Sequence, residues 1–120
     1  MEKENLINAI RENAKYFIDE VGECFPFAIC VNDQEELVPV YLNEEEEFPD
    51  FESMIEELKF CIEKAIEENS FSCGAIAYDE VLEKNGSDQD VVRIVYFVEG
   101  KQPVPYDFPY FMEKGKAVFL

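Results

Sequence analysis

The stretch of sequence that decides the fold is residues 51–82, FESMIEELKFCIEKAIEENSFSCGAIAYDEVL. Its first part repeats apolar residues at three- and four-residue steps from Phe51 to Ile66, which predicts an amphipathic helix. From Phe71 to Leu82 the period changes to two, with small side chains on one face and larger ones on the other, which predicts a strand. A helix that leads directly into such a strand is typical of a sheet covered by helices.

Two capping signals mark the ends of the predicted helices. An apolar stripe from Leu6 to Val21 predicts a first helix, and Gly22 follows it as a C-cap glycine would. The second helix begins after Pro49, where the side chain of Asp50 can accept from free amide groups of the first turn. Both apolar stripes are wide enough to lie on a sheet.

The remaining apolar segments predict strands. Phe25–Val31 is almost continuously apolar, and a polar turn connects it to a second arm at Glu36–Leu42. Pro39 cannot donate to a ladder, so the second arm is predicted to lie at an edge and to pair only with the first. Val91–Val98 predicts an interior strand, and Lys116–Leu120 predicts a short last strand.

The segment Gly100–Pro109 is interrupted by three prolines, so no strand is predicted there. The predicted order is therefore α-β-β-α-β-β-β. By its length, the chain is expected to form a single α+β domain over residues 1–120, with one five-stranded, mainly antiparallel sheet and two helices packed on it. This topology resembles the profilin-like folds, including roadblock and longin domains, which usually add a final helix.

Three short motifs support a second resemblance. Glu23–Ala28 reads ECFPFA, Ala75–Asp79 reads AIAYD, and Pro109-Tyr110 comes late in the chain. An acidic residue before an F-x-F-A-like strand, an A-x-A-x-D strand and a late Pro-Tyr are similar to those of a group of small, uncharacterised bacterial proteins. The resemblance implies a bacterial origin and no particular activity. In size and acidity the chain also resembles some toxin-immunity proteins.

Acidic residues dominate the first part of the chain. The formal net charge is −18, and fourteen carboxylates but no basic residue lie between Lys15 and Lys59. A field of one sign attracts basic partners and repels nucleic acid and anionic membranes. We therefore expect a basic protein as partner, no nucleic acid and no membrane, for a chain that is either a monomer or a homodimer.

Two features are candidates for partner contact. The first is a run of four glutamates, which is either a solvated surface or a docking face: Glu44, Glu45, Glu46 and Glu47. The second is the segment PVPYDFPYF, residues 103–111, which holds four rings among its prolines: Tyr106, Phe108, Tyr110 and Phe111. These rings either cover an open edge of the core as a lid or form an exposed patch that anchors a partner.

A docking face built from the whole base-free span makes a geometric prediction. The end of the first helix, the turn at Asp33–Glu36, the glutamates at Glu44–Glu47 and the start of the second helix must then lie on one side of the protein.

The composition argues against an enzyme. The chain has no His, so the commonest general base and the usual imidazole ligand are missing, and no motif for a metal or another cofactor is recognisable. Four cysteines without CxxC spacing, behind an N-terminus without a signal-like apolar run, predict reduced, buried thiols in the cytoplasm. Cys30 and Cys73 could face each other across the sheet, as two buried thiols or as a redox-responsive pair.

The sequence thus predicts a non-enzymatic, cytoplasmic α+β protein that acts through protein–protein contact, for example as an inhibitor or immunity-type protein. The alternative is a sensor-like domain that binds a small ligand between sheet and helices. The first function needs an exposed acidic and aromatic surface, whereas the second needs a closed apolar cavity with a few polar groups.

Overall fold

The computed structural model describes residues 2–42 and 50–120. These residues form two helices and six strands, in the order α1 (Lys3–Val21), β1 (Phe27–Asn32), β2 (Leu37–Val40), α2 (Phe51–Glu67), β3 (Phe71–Lys84), β4 (Ser87–Val98), β5 (Val104–Glu113) and β6 (Lys116–Phe119). Both predicted caps are present. The N–H of Gly22 donates to Ile18 at 2.9 Å, and the Asp50 side chain accepts from the N–H of Glu52 at 3.1 Å.

The strands form one antiparallel sheet in the order β2-β1-β3-β4-β5-β6. The α+β class is confirmed, as are the edge position of β2 and the interior position of β4. The backbone N–H of Asn32 donates to Glu36 at 3.1 Å. Because hydrogen bonding alternates along an antiparallel pair, Pro39 turns its nitrogen to the open edge, where no ladder bond is lost.

The prediction of five strands is wrong, because the proline-rich segment forms β5. The carbonyl of Pro109 accepts from the N–H of Leu120 at 3.0 Å, so the backbone of Pro109 faces the β6 side of the strand. Pro105 lies four residues earlier and faces the same side, away from the ladder with β4. Neither proline therefore removes a β4–β5 hydrogen bond, which explains why a strand tolerates both.

The sheet curls around α1. This helix packs against β1, β3, β4 and β6, and it buries Leu6, Ile7, Ile10, Ala14 and Ile18 in the larger of two apolar clusters. Asp19 links the helix to the edge strand β6, because its carboxylate accepts from the N–H of Ala117 at 2.7 Å. An otherwise open edge of the sheet is thus partly covered by α1.

The second helix packs on the opposite face, against β1, β3 and β4. Leu58, Ile62 and Ile66 are buried there in a smaller apolar cluster. Helix and sheet approach closely at Gly74, where an added Cβ would lie 2.9 Å from Cys30 Sγ and 3.2 Å from Ile62 Cγ2. The absence of a side chain at this position therefore sets the distance between α2 and the sheet.

Candidate binding surfaces

The predicted aromatic contact segment is partly used to pack against α1. The hydroxyl of Tyr106 accepts a hydrogen bond of 2.8 Å from Lys3 Nζ, which also lies 5.2 Å from the centre of the ring. The guanidinium of Arg11 lies 5.0 Å from the centre of the Phe108 ring. Both rings are held by cations of the first helix, as expected for a lid over the core.

Tyr110 and Phe111 follow on opposite faces of β5. Tyr110 is 5% exposed and belongs to the α1 cluster, whereas Phe111 is 43% exposed on the outer face. The run Glu44–Glu47 lies outside the described residues. Phe111 is thus the most exposed of the predicted contact residues that the structure describes. Its role in binding stays a prediction.

The three short motifs meet at one carboxylate. Asp79 in β3 accepts from the backbone N–H of Cys24 and from the hydroxyl of Tyr110 in β5, both at 2.5 Å. Burial raises the pKa of Asp79 above its ordinary value, and the two hydrogen bonds oppose this shift. Burial likewise raises the pKa of the Tyr110 hydroxyl. Asp79 therefore ties the loop before β1 to both strands.

A shallow cleft of about 350 Å³ opens beside Asp79, with Glu23, Val81, Asp90 and Met112 among its lining residues. In the described part of the chain, no buried side-chain polar atom lacks a hydrogen-bond partner. Nor does any group of three acidic or thiol side chains in residues 2–42 and 50–120 have the arrangement of a metal site. Through its hydrogen bonds, Asp79 joins the loop before β1 and strand β5 to β3.

Cys30 and Cys73 are both buried, but they do not face each other across the sheet. Cys30 lies in the α2 cluster and Cys73 in the α1 cluster, on opposite faces of the sheet. Adjacent strand positions point to opposite faces, and Cys30 pairs in register with Gly74, so the two thiols cannot face each other. Burial raises the pKa of Cys30 to about 12. The expectation of buried thiols is wrong for Cys61, which is exposed on α2.

An aromatic cluster that the sequence analysis did not predict joins α1 to the end of β2. The ring of Phe17 lies edge-on to Phe27 at 5.1 Å and to Tyr41 at 6.2 Å, and Tyr41 stacks on Phe27 at 6.0 Å between centres. Tyr16 lies 5.9 Å from Phe17. Phe27 is buried, whereas Tyr16 and Tyr41 are 61% and 56% exposed. The cluster therefore extends from the core, at Phe27, to the protein surface, at Tyr16 and Tyr41.

The exposed apolar surface continues one helical turn further. Val21 follows Phe17 at a four-residue step on α1 and is 61% exposed. We call Tyr16, Phe17, Val21 and Tyr41 the aromatic patch. Tyr16, Val21 and Tyr41 are exposed and Phe17 is half-buried. Such a set of neighbouring accessible apolar side chains is typical of a contact surface, whereas single exposed apolar residues are common on any protein.

Exposed carboxylates flank Tyr16 along α1. Glu12 and Glu20 lie one turn before and one turn after Tyr16 on α1, and both are exposed. The nearest cation in sequence, Lys15, is bound to Asp19 at 2.6 Å. The side chains of α1 thus place negative charge beside the rings, while the adjacent lysine is neutralised locally.

The start of the second helix lies at the same end of the molecule. Phe25, just before β1, contacts Phe51 at the first turn of α2, with 5.3 Å between ring centres. Asp50 and Glu52 at this helix start are exposed, as is Glu23 in the loop after α1. Acidic groups from both helix ends therefore extend the negative surface beyond the patch.

The predicted convergence of the whole acidic span is wrong in one part. The turn at Asp33–Glu36 lies at the far end of β1, where Asn32 pairs with Phe71 at the start of β3. The six residues of β1 separate that turn from the aromatic patch by about 20 Å at the rise of a strand. Of the parts of this span that the structure describes, the end of α1 and the start of α2 lie at the same end of the sheet, because β1 and β2 carry the turn away from them.

The residues of the aromatic patch were missed because they come from separate elements. Tyr16 and Tyr41 are 25 positions apart, and only the packing of α1 against the β1–β2 end brings them together. A signal was present in Tyr16-Phe17, since two adjacent rings on one helix cannot both face the core centre. An exposed aromatic next to a buried one on α1 could have been inferred from this pair.

No family model, curated protein or solved structure matches this chain. In residues 2–42 and 50–120, neither helix is long and apolar enough to cross a membrane. What can be inferred about function therefore depends on the surfaces described above.

Proposed function

We propose that this protein is a non-enzymatic binding protein whose aromatic patch and surrounding carboxylates dock a basic segment of another protein. The observation that carries the proposal is the position of two exposed tyrosines, Tyr16 and Tyr41, on the base-free part of the chain, where exposed acidic side chains such as Glu20 and Glu23 also lie. An inhibitor or immunity-type protein that covers a basic surface is one form of this function. The cytoplasmic location expected from the sequence belongs to the same proposal.

The chemistry of the patch favours arginine over lysine in the partner. A guanidinium can stack on the face of Tyr16 or Tyr41 while its N–H groups reach Glu12 or Glu20, whereas an ammonium group is a more strongly hydrated point charge. The ring therefore supplies selectivity, and the carboxylates supply long-range attraction. Arg11 on the Phe108 ring is an example of the same contact within this chain.

A small-ligand sensor is less well supported. It would need an enclosed apolar cavity, whereas the grooves lined by described residues are open and rich in carboxylates, such as the one formed by Asp50, Glu52, Ser53 and Glu56. Helix side chains instead fill the space between each helix and the strands that it covers, in the two apolar clusters. Protein contact is the function that these surfaces support best.

The proposal is tested with two labelled peptides of equal charge, (Arg-Gly)6 and (Lys-Gly)6, measured by fluorescence anisotropy at low salt. The parent should bind the arginine peptide more tightly. Replacing Tyr16→Ala and Tyr41→Ala should weaken that binding about two- to fivefold per ring and remove the preference for arginine. Phe60→Ala is the matched control, because Phe60 is an exposed ring on α2 outside the patch.

Charge is tested separately with Glu12→Lys and Glu20→Lys, against Glu63→Lys and Glu67→Lys on α2 as a control of equal net charge. The first pair should weaken binding more than the second, and the difference should shrink at about 150 mM salt because screening reduces steering. If both pairs weaken binding equally, or if the tyrosine variants keep the arginine preference, the patch is not a docking site.

A further inference from the structure

The outer face of β5 and β6 is the half of the sheet that α2 leaves open. The second helix packs on β1, β3 and β4, and in the described part of the chain no helix covers the outer side of the last two strands. Phe111 pairs in register with Val118, and the N–H of Leu120 bonds to the Pro109 carbonyl, so these four side chains form an adjacent set. We call them the outer strip.

The outer strip is apolar and accessible. Phe111 is 43% exposed and Leu120 is 76% exposed, while Val118 and Pro109 are partly buried beside them. Exposed side chains that neighbour one another in this way are typical of an interface. This surface lies on the opposite face of the sheet from α1, whose side chains supply most of the aromatic patch, so it is a separate feature of the molecule.

Charge on this face differs from the rest of the chain. The strand register places equal numbers of bases and carboxylates on the outer side of β3–β6: Lys84, Arg93 and Lys116 against Glu80, Asp107 and Glu113. Arg93 is bound to Asp107 through two contacts of 2.8 and 3.1 Å and approaches Glu80 at 3.8 Å. The charge that these strands themselves present on the outer side is therefore balanced, in a chain whose formal charge is −18.

The balanced charge of these strands indicates which partner can cover the outer strip. Two copies of a chain with charge −18 repel each other wherever acidic surfaces meet, but not where both present the same balanced face. In a two-fold arrangement each copy offers the same apolar strip and the same flanking charges, so Lys116 of one copy can meet Glu113 of the other. We propose that a second copy of this chain covers the outer strip, giving a two-fold homodimer.

The experiment is sedimentation of the parent from about 5 to 500 µM at low and at about 150 mM salt. The mass should rise from 14.0 kDa towards twice that value with concentration, and association should strengthen with salt because screening reduces the overall repulsion. Binding of a basic partner to the aromatic patch has the opposite dependence on salt, so the two proposals can fail independently.

Variants locate the interface. Phe111→Glu and Phe111→Ser should each weaken dimerisation at least tenfold, while Phe60→Glu and Phe60→Ser, at a ring 66% exposed on α2, should leave it unchanged. Circular dichroism checks that each variant keeps the parent fold. A parent that stays monomeric at both salt concentrations overturns the proposal without any variant. So does a Phe60 variant that weakens association as much as its Phe111 counterpart.

Discussion

The two faces of the sheet are built differently. The α1 face is enclosed by curled strands and joined by polar contacts between distant segments, such as Asp19 with Ala117 and Asp79 with Tyr110. The α2 face is joined mainly by apolar contacts, and part of it stays open beyond the helix. The comparison indicates that the α1 side holds the fold together, whereas the α2 side leaves sheet surface available for contact.

The largest expected difference between the faces comes from their cores. Ile10→Ala removes a side chain with no exposure at the centre of α1 and should lower the free energy of unfolding by about 4 kcal/mol. Ile66→Ala, at a side chain 7% exposed near the end of α2, should cost about 2 kcal/mol because the site can relax towards solvent. Urea unfolding measures both losses. An equal or larger loss at Ile66 would contradict the comparison.

A smaller effect is expected at Asp79 and Asp19, the two carboxylates of the α1 face, whose contributions to stability depend on pH in opposite ways. Asp79→Asn should cost about 1–3 kcal/mol, because an amide cannot accept from both Cys24 and Tyr110. Burial raises the pKa of Asp79 above its ordinary value of 3.8. The stability that Asp79 contributes is therefore complete below pH 3.8 and is lost as the pH rises through the folded-state pKa. The cost of the substitution should therefore shrink as pH rises from about 3 to 6.

Asp19→Asn is the contrasting case and should cost about 0.5–1.5 kcal/mol near neutral pH. Hydrogen bonding from Lys15 and then from Ala117 lowers the pKa of Asp19. The stability that Asp19 contributes is therefore present above pH 3.8, the ordinary pKa of the group, and is lost as the pH falls through the lowered pKa. Unfolding of parent and variants across this range should give opposite trends for the two aspartates. Parallel trends would mean that their environments do not differ as described.

The smallest expected effect concerns the surface charge that both faces share. Raising salt from about 10 to 150 mM should increase the melting temperature by a few degrees, because screening relieves repulsion among the carboxylates. With no His in the chain, stability should change little between about pH 6 and 8. A melting temperature that falls with added salt would indicate that ion pairs outweigh repulsion.

Local rules predicted much of the fold. Gly22 and Asp50 mark helix ends through groups that act within one turn, and Pro39 identified an edge because its missing donor acts within one strand. The same proline rule failed at Pro105 and Pro109. Their effect depends on which side of β5 carries the ladder, and strand register is a property of the whole sheet.

The candidate surfaces were less accessible to prediction for a related reason. The aromatic residues of β5 could be recognised as important, but which of them face α1 follows from strand alternation once β5 is known to be a strand. Tyr16 and Tyr41 needed the packing of α1 against the sheet. The balanced charge of the outer face needed the register of four strands, because no short segment of the sequence contains it.

The hydrogen bond between Asp19 and Ala117 also has a consequence for synthesis of the chain. Its two residues are 98 positions apart, so α1 leaves the ribosome long before the strand that completes its surroundings. At roughly 5–20 residues per second, the helix waits for about 5–20 s with its apolar stripe incompletely covered. The most enclosed part of the finished protein is thus the part that a nascent chain exposes longest, and chaperones that bind apolar helices would meet α1 first.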